Sequence, residues 1–355
     1  MTTESFPYTL TRLRTLMEPE PGNPHEVEGV LNPASGRGPD GELYLLPRVV
    51  AAGNVSRVAL ARVVVEGGEP VGTERQGVVL EPENRWERGA QSAGTEDPRT
   101  TWVPSLGLHV MTYVAYGPMG PRTALAVSDD LRRWRRLGPL LFRHDPGLDV
   151  DLNLYSNKDA VLFPEVVPDP DGVPSYALLH RPTWDLGLVR PGAGLWPPST
   201  SVDSRPAIWI SYVKASEVRA DLGALCLQSG AREVAHPVFG YESLKIGAGP
   251  PPVRVPEGWL LLHHGVTGHI HDPWSIHNDV RYSAGAMILD ADDPSTVLRR
   301  TELPLLEPET ENERVGTVGD VVFPTAVEEV DGQTFVFYGM ADAKIGVARL
   351  DRTAA

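Results

Sequence analysis

The sequence predicts an all-β protein, a five-bladed β-propeller, and three observations carry that prediction. A turn ending in glycine, followed by a β-rich apolar run, occurs five times. The five glycines, Gly41, Gly107, Gly172, Gly258 and Gly332, recur at intervals of 65 to 86 residues (172 − 107 and 258 − 172). Such periods in an all-β pattern suit blades rather than one sandwich. The 35 glycines and 34 prolines in 355 residues suit many short strands joined by tight turns.

Each module is read in the same way. The turns are Asp40-Gly41, Ser105-Leu106-Gly107, Asp171-Gly172, Glu257-Gly258 and Asp331-Gly332. The runs that follow are Leu43 to Leu46, Leu108 to Val114, Tyr176 to Leu179, Trp259 to Leu262 and Thr334 to Phe337. They end in Arg48, Tyr116, His180-Arg181, His263-His264, and Tyr338 with Asp342. A strand precedes four of the turns: Thr100 to Val103, Ala160 to Phe163, Pro252 to Val255 and Val321 to Phe323. A third strand follows at Arg57 to Val64, Arg122 to Ser128, Ala207 to Val213, Tyr282 to Leu289 and Lys344 to Leu350, with small and apolar residues alternating. A fourth, outer strand is the least visible. Gly187 to Arg205 and Thr267 to Val280 interrupt the rhythm and read as long loops over one face, where function concentrates. Thr9 to Leu16 reads as a terminal helix. With no linker-like break, residues 1–355 form one propeller, and residues 1–30 an N-terminal extension packing on it.

Composition narrows the partners. A net charge of −15 argues against nucleic acid, which selects a basic footprint. Met1 to Glu20 lacks a signal-peptide pattern, and no apolar run approaches a membrane span, so no membrane partner is expected. The single Cys226 leaves no intrachain disulfide, which fits a cytoplasmic location.

Polar groups stand where the inner strands begin: Asn32-Pro33, Glu96-Asp97-Pro98-Arg99, Asn157-Lys158-Asp159, Lys245-Ile246-Gly247 and Gly319-Asp320. Antiparallel pairing puts strand starts and neighbouring strand ends on one face, so Arg48, Asp97, Lys158, Arg181, His264 and Asp342 share one site. Lys158, Arg181 and His264 read as a cationic subsite in an acidic chain, suited to phosphate. Asp97 beside Arg99 also fits a structural salt bridge, and His264 a core histidine; recurrence at equivalent positions favours the shared site. His269, His271, Trp274 and His277 crowd one loop, but no carboxylate or cysteine stands at a zinc-motif spacing, and no metal is expected.

These residues fall into an ordered set: Glu96-Asp97-Pro98-Arg99, Lys158 to Glu165, Leu179-His180-Arg181-Pro182, Lys245 to Pro251, His264-Gly265-Val266, Ala284-Gly285-Ala286, Val321-Val322-Phe323-Pro324, and Tyr338-Gly339-Met340-Ala341-Asp342. From about Asn32 to Leu350 the chain resembles glycoside hydrolase family 130, the β-mannoside phosphorylases and related hydrolases. The resemblance implies a five-bladed propeller and inverting phosphorolysis of a β-mannoside to α-mannose 1-phosphate. It implies Asp97 as proton donor, acting through the 3-hydroxyl of the mannosyl unit. It implies Lys158, Arg181 and His264 as phosphate ligands and Asp342 as a partner of mannosyl hydroxyls. Arg57 matches a site-lining Arg; Arg48, Asp159 and Lys245 join the substrate-binding set; Tyr116 and Trp184 are expected to stack on sugar. No cofactor is implied beyond inorganic phosphate as co-substrate, and a homo-oligomer is expected by analogy. Many members carry Arg at Lys158, Asn at Asp159, Asn at Asp320 and Tyr at His263; a lysine cannot grip phosphate bidentately. The alternatives are a β-mannoside hydrolase using water and a non-catalytic sugar-binding propeller.

Overall fold

Short apolar strands and tight glycine turns fold into five antiparallel meanders of four strands each. The computed structural model describes residues 6–187, 190–271 and 278–353. From inside outward, blade I is Gly29–Arg37, Leu43–Ala51, Val55–Glu66 and Glu69–Leu80. Blade II is Ala93–Val103, Leu108–Gly117, Gly120–Ser128 and Arg135–Pro139. Blade III is Ser156–Pro168, Pro174–Thr183, Ile208–Lys214 and Leu227–Ala235, with Leu141–Phe142 added in parallel at its edge. Blade IV begins as two pieces, Lys245–Ala248 and Val253–Val255, because Pro250, Pro251 and Pro252 between them have no N–H for the ladder. It continues with Gly258–His269, Asp279–Leu289 and Val297–Arg300. Blade V is Val322–Val330, Gln333–Met340, Lys344–Arg352 and Tyr8–Met17.

That last strand corrects the sequence expectation. Thr9 to Leu16 is not a helix but the outermost strand of blade V, antiparallel to Lys344–Arg352. Its Thr-rich run has the period-2 character of a half-buried strand. The two ends of the chain therefore share one blade.

Neighbouring blades bury one apolar layer between them. Leu46 and Leu60 of blade I meet Met111 and Ala126 of blade II. Val110 and Leu125 meet Leu178 and Trp209 of blade III. Phe163 and Ile210 meet Trp259 and Met287 of blade IV. Leu262 and Ile288 meet Val336 and Leu350 of blade V. The fifth layer, Phe335, Phe337 and Val347 with Leu45, Val49 and Ala61, joins blade V back to blade I and closes the ring. Each such large side chain, fully buried, contributes about 1.5–3 kcal/mol.

A second recurring device is polar. Before blades II, IV and V the chain makes one short helical turn carrying a fully buried glutamate, Glu87, Glu242 or Glu313. One carboxylate oxygen accepts two backbone N–H bonds from its own turn, as in Glu313 from Glu309 and Thr310, both at 2.9 Å. The other meets an aromatic or imidazole group on the second strand and an arginine on the outermost strand. The sets are Tyr113 and Arg136 for Glu87, His263 and Arg300 for Glu242, and Tyr338 and Arg12 for Glu313. In blade I, Glu26 is gripped by both Nε and Nη2 of Arg75 at 2.8 Å. Each glutamate ties the inner edge of a blade to its outer edge. Blade III differs: Asn153 bonds the backbone of Phe142, and His180 sits between Asn157 (3.0 Å) and Ser211 (2.7 Å).

Candidate active site

The inner strands start with a shared distortion. In blades I, II and III the pairing slips between Leu31 and Ala34, Glu96 and Arg99, and Lys158 and Val161. At each slip one residue is left-handed: Asn32 (φ +41), Asp97 (φ +44) and Asp159 (φ +51). Asn and Asp are the non-glycine residues that tolerate this region best. Blade V has Asp320 (φ +57) before its inner strand, and Asp342 (φ +49) after its second. Blade IV has Gly247 instead, for a steric reason: a Cβ there would overlap the Asp159 carboxylate and the His264 ring. Gly339 is required in the same way, because Asn32 occupies the space of its missing side chain. On the second strands, Arg48, Arg181 and His264 lie opposite Leu31, Lys158 and Gly247.

The result is one continuous charged cluster. Asp97 accepts from Asn32 (2.9 Å) and Arg48 (3.0 Å) through Oδ1. Arg48 also donates to Glu96 at 2.9 Å, and Lys158 stands 3.9 Å from the other Glu96 oxygen. Lys158 lies over the Tyr116 ring at 5.8 Å. Asp159 pairs with Arg181 at 2.8 Å and approaches His264 Nε2 at 3.4 Å. Lys245 lies over the Tyr282 ring at 5.4 Å and has no hydrogen bond or ion pair among the described residues. Arg99 turns away from the Asp97 carboxylate. Its Nε donates to Gly249 O at 2.9 Å, and its guanidinium sits 5.2 Å from the Phe323 centroid, so it braces blade II against blades IV and V. The alternative of an Asp97–Arg99 salt bridge is not what forms: the Asp97 carboxylate pairs with Arg48.

The electrostatics divide the carboxylates. Burial pushes Asp97 up, but Arg48, then Lys158 and Arg99, outweigh it and hold the group below the usual range. Asp159 is also held below the usual range: burial pushes it up, and Arg181 foremost outweighs that. Asp342 goes the other way: burial raises it to about 6, against Arg48 and with the push of Asp97 and Glu96. The Asp342 carboxylate has no hydrogen-bond partner among the described residues, so little offsets its desolvation. Burial, then Arg181, pulls Lys245 down to about 7. Burial takes His264 down to about 4 despite Asp159. At neutral pH His264 is therefore a neutral imidazole, which corrects its reading as a cation; Lys245, close to its midpoint there, is charged in only part of the molecules.

Of the residues expected to meet, Arg48, Asp97, Tyr116, Lys158, Asp159, Arg181, Lys245, His264 and Asp342 do. Arg57 contacts none of them among the described residues: its Nε lies 3.6 Å from Glu81, and its Nη1 is 3.5 Å from Val55 O. Trp184 is not available for stacking, because it is 1% exposed and packs edge-on against Tyr155 and Trp209. Asn32, Glu96 and Tyr282 also belong to the cluster; Asn32 and Glu96 stand among the polar strand starts but were given no role, and Tyr282 lies at the head of a strand with no signal of its own. His271 bonds Asp279 at 2.9 Å, and Trp274 and His277 lie outside the described residues. Among the described residues no helix is long and apolar enough to cross a membrane.

Comparison with known proteins places the chain. A family model described as beta-1,4-mannooligosaccharide phosphorylase matches residues 226–353. The chain is 30% identical over 262 residues to a 1,2-beta-oligomannan phosphorylase of Thermoanaerobacter sp. (strain X514), covering 73% of this chain and 68% of the relative. It is 40% identical over 119 residues, 33% of each chain, to a beta-1,4-mannooligosaccharide phosphorylase of Ruminococcus albus. The solved beta-1,2-mannobiose phosphorylase of Listeria innocua superposes with a TM-score of 0.69 at 23% identity, covering 98% of this chain and 97% of that one. The ring of five blades, the cluster at its strand starts and these matches agree, and the chain belongs to glycoside hydrolase family 130.

Proposed function

We propose that this protein is an inverting β-mannoside phosphorylase that cleaves a β-mannoside with inorganic phosphate and releases α-mannose 1-phosphate. The relatives named above are mannoside phosphorylases, and they act on β-1,2 or β-1,4 linkages according to their names. The observation that carries the reading is the cationic group Lys158, Arg181 and Lys245 near Asp97, of which Lys245 is unpaired among the described residues. Arg48 is paired with Glu96 and Asp97, and Arg181 with Asp159, whereas Lys158 stands 3.9 Å from Glu96 and Lys245 has no ion pair among the described residues, which leaves positive charge open in an otherwise acidic chain. An excess of positive charge that is partly buried and unpaired is costly unless an anion offsets it.

In the proposed cycle the β-mannoside lies with its mannosyl ring against Asp97 and Asp342. Phosphate is held by Lys158, Arg181 and Lys245, with the neutral His264, whose Nε2 faces Asp159, lining the site beside them. Fixed charges hold the phosphate in line with the anomeric carbon, and most of the acceleration is positioning and charge stabilisation. A sugar alkoxide is a poor leaving group, so Asp97 delivers a proton through the 3-hydroxyl of the mannosyl unit. Asp97 is ionised in the free protein because Arg48 and Lys158 favour its charged form. The arriving phosphate offsets Lys158 and raises Asp97 toward the range a general acid needs. Phosphate attacks the face opposite the departing oxygen, and the configuration inverts. Phosphate is the co-substrate and no further cofactor takes part; a cytoplasmic location suits a phosphate-consuming reaction.

The test is a panel of β-mannobioses incubated with and without inorganic phosphate. The expected product is mannose 1-phosphate, formed only with phosphate. Phosphate-independent release of free mannose would instead establish a hydrolase.

A further inference from the structure

The long loop of blade III, which joins Thr183 to Ile208, carries one exposed tryptophan. Trp196 is 59% exposed, in contrast to the 1% of Trp184. Its placement is fixed by three hydrogen bonds. Its backbone N–H donates to Trp184 O (2.9 Å), its carbonyl accepts from Tyr155 OH (2.9 Å), and its indole N–H donates to Ala193 O (2.8 Å). With the N–H already engaged inside the loop, the indole offers solvent an apolar face and no free donor. Leu195, beside it, bridges Asp185 and is also exposed.

The anchors tie this tryptophan to the charged cluster. Trp184 comes three residues after Arg181, and Tyr155 three residues before Lys158. The far end of the loop returns to the same place, where Pro206 O accepts from Ile246 N, next to Lys245. Three extended residues span about 10 Å. Both anchors are within about three residues of the cluster, so Trp196 belongs to the face of the ring that carries it. An ordered aromatic face flanking a polar sugar site fits the C–H face of a second pyranose: the ring has an apolar side for the indole and hydroxyls left for water.

We propose that Trp196 is the stacking platform for the leaving-group sugar, the pyranose that departs when the β-mannoside is cleaved, and sets the preference for that sugar. This rests on the phosphorylase reading for its name of the ligand, but not for its test. The test has two parts. In the synthetic direction, with α-mannose 1-phosphate as donor, Trp196→Ala is expected to raise the KM of the acceptor sugar about 3- to 10-fold. The KM for α-mannose 1-phosphate and the kcat at saturating acceptor stay unchanged, which also shows that the variant is folded. Trp196→Phe keeps most of the acceptor affinity. Calorimetric titration of manno-oligosaccharides into wild type and Trp196→Ala needs no turnover and is expected to show the same loss. A wild-type enzyme that hydrolyses without phosphate, with affinity still lost in Trp196→Ala, removes the phosphorylase reading and keeps the platform. Unchanged acceptor KM and unchanged titration overturn the platform. So does a Trp196→Ala variant whose only change is a shift in oligomeric state.

Discussion

Two sets of buried carboxylates in this propeller differ in how fully their oxygens are used. In Glu87, Glu242 and Glu313 both oxygens are taken: two backbone N–H groups on one, an aromatic or imidazole group and an arginine on the other. Asp97 uses one oxygen only, and Asp342 neither, among the described residues. Lys245 is equally open. A saturated network has no valence left for a ligand, so it holds a blade together. An unsaturated one keeps its desolvation cost until something binds, so it marks a site. Blade III, which presents Lys158 and Arg181, lacks the glutamate device and carries the loop bearing Trp196. The blade without that glutamate supplies two of the three proposed phosphate-binding cations.

Substitutions in the two sets should therefore separate activity from stability. The largest effect is expected for Asp97→Asn, which should lower turnover by about 10²–10⁴-fold, measured as phosphorolysis rate, while the thermal midpoint stays close to wild type. A large loss of stability with near-normal rate per folded molecule would reverse the assignment. Next comes Glu313→Ala. Tyr338 and the Glu309 and Thr310 N–H groups lose their acceptor while Arg12 keeps Glu309 and the Glu307 carbonyl, so the cost should be about 2–4 kcal/mol in denaturant unfolding, with the KM for phosphate unchanged. Arg181→Ala should follow, raising the KM for phosphate by about 10- to 100-fold, as expected for loss of one charge-assisted contact, with little change in the KM for the mannoside. The smallest effect is a pH dependence. Lys245 titrates near 7 because burial and Arg181 disfavour its charge, so the cation is present below that value and lost above it. The KM for phosphate should rise as pH passes from 6 to 8.5, and Lys245→Met should flatten the rise. An identical profile in the variant would remove Lys245 from the phosphate site.

Much of this was legible in the sequence. The turns at Gly41, Gly107, Gly172, Gly258 and Gly332 marked the blades, because tight turns leave a local signature. The strand starts at Asp97, Lys158 and Asp159 marked the cluster, because polar residues interrupting apolar runs need a reason. What was hidden depended on distant partners. Tyr8–Met17 becomes a strand only because Lys344–Arg352 is there to pair with it. Glu313 is buried only because Arg12, 301 residues away, and Tyr338 meet it. Trp184 and Trp196 have the same chemistry in sequence, and only packing decides which one is covered. His264 has a cation's spelling, but burial outweighs Asp159 and keeps it neutral.

The most direct test of the account is calorimetric titration of inorganic phosphate into the sugar-free protein and into Arg181→Ala, in two buffers of different ionisation enthalpy. The account predicts binding to wild type with net proton uptake near pH 7, as phosphate completes the protonation of Lys245, and strongly weakened binding to the variant. No phosphate binding, or equal binding by both proteins, would contradict it.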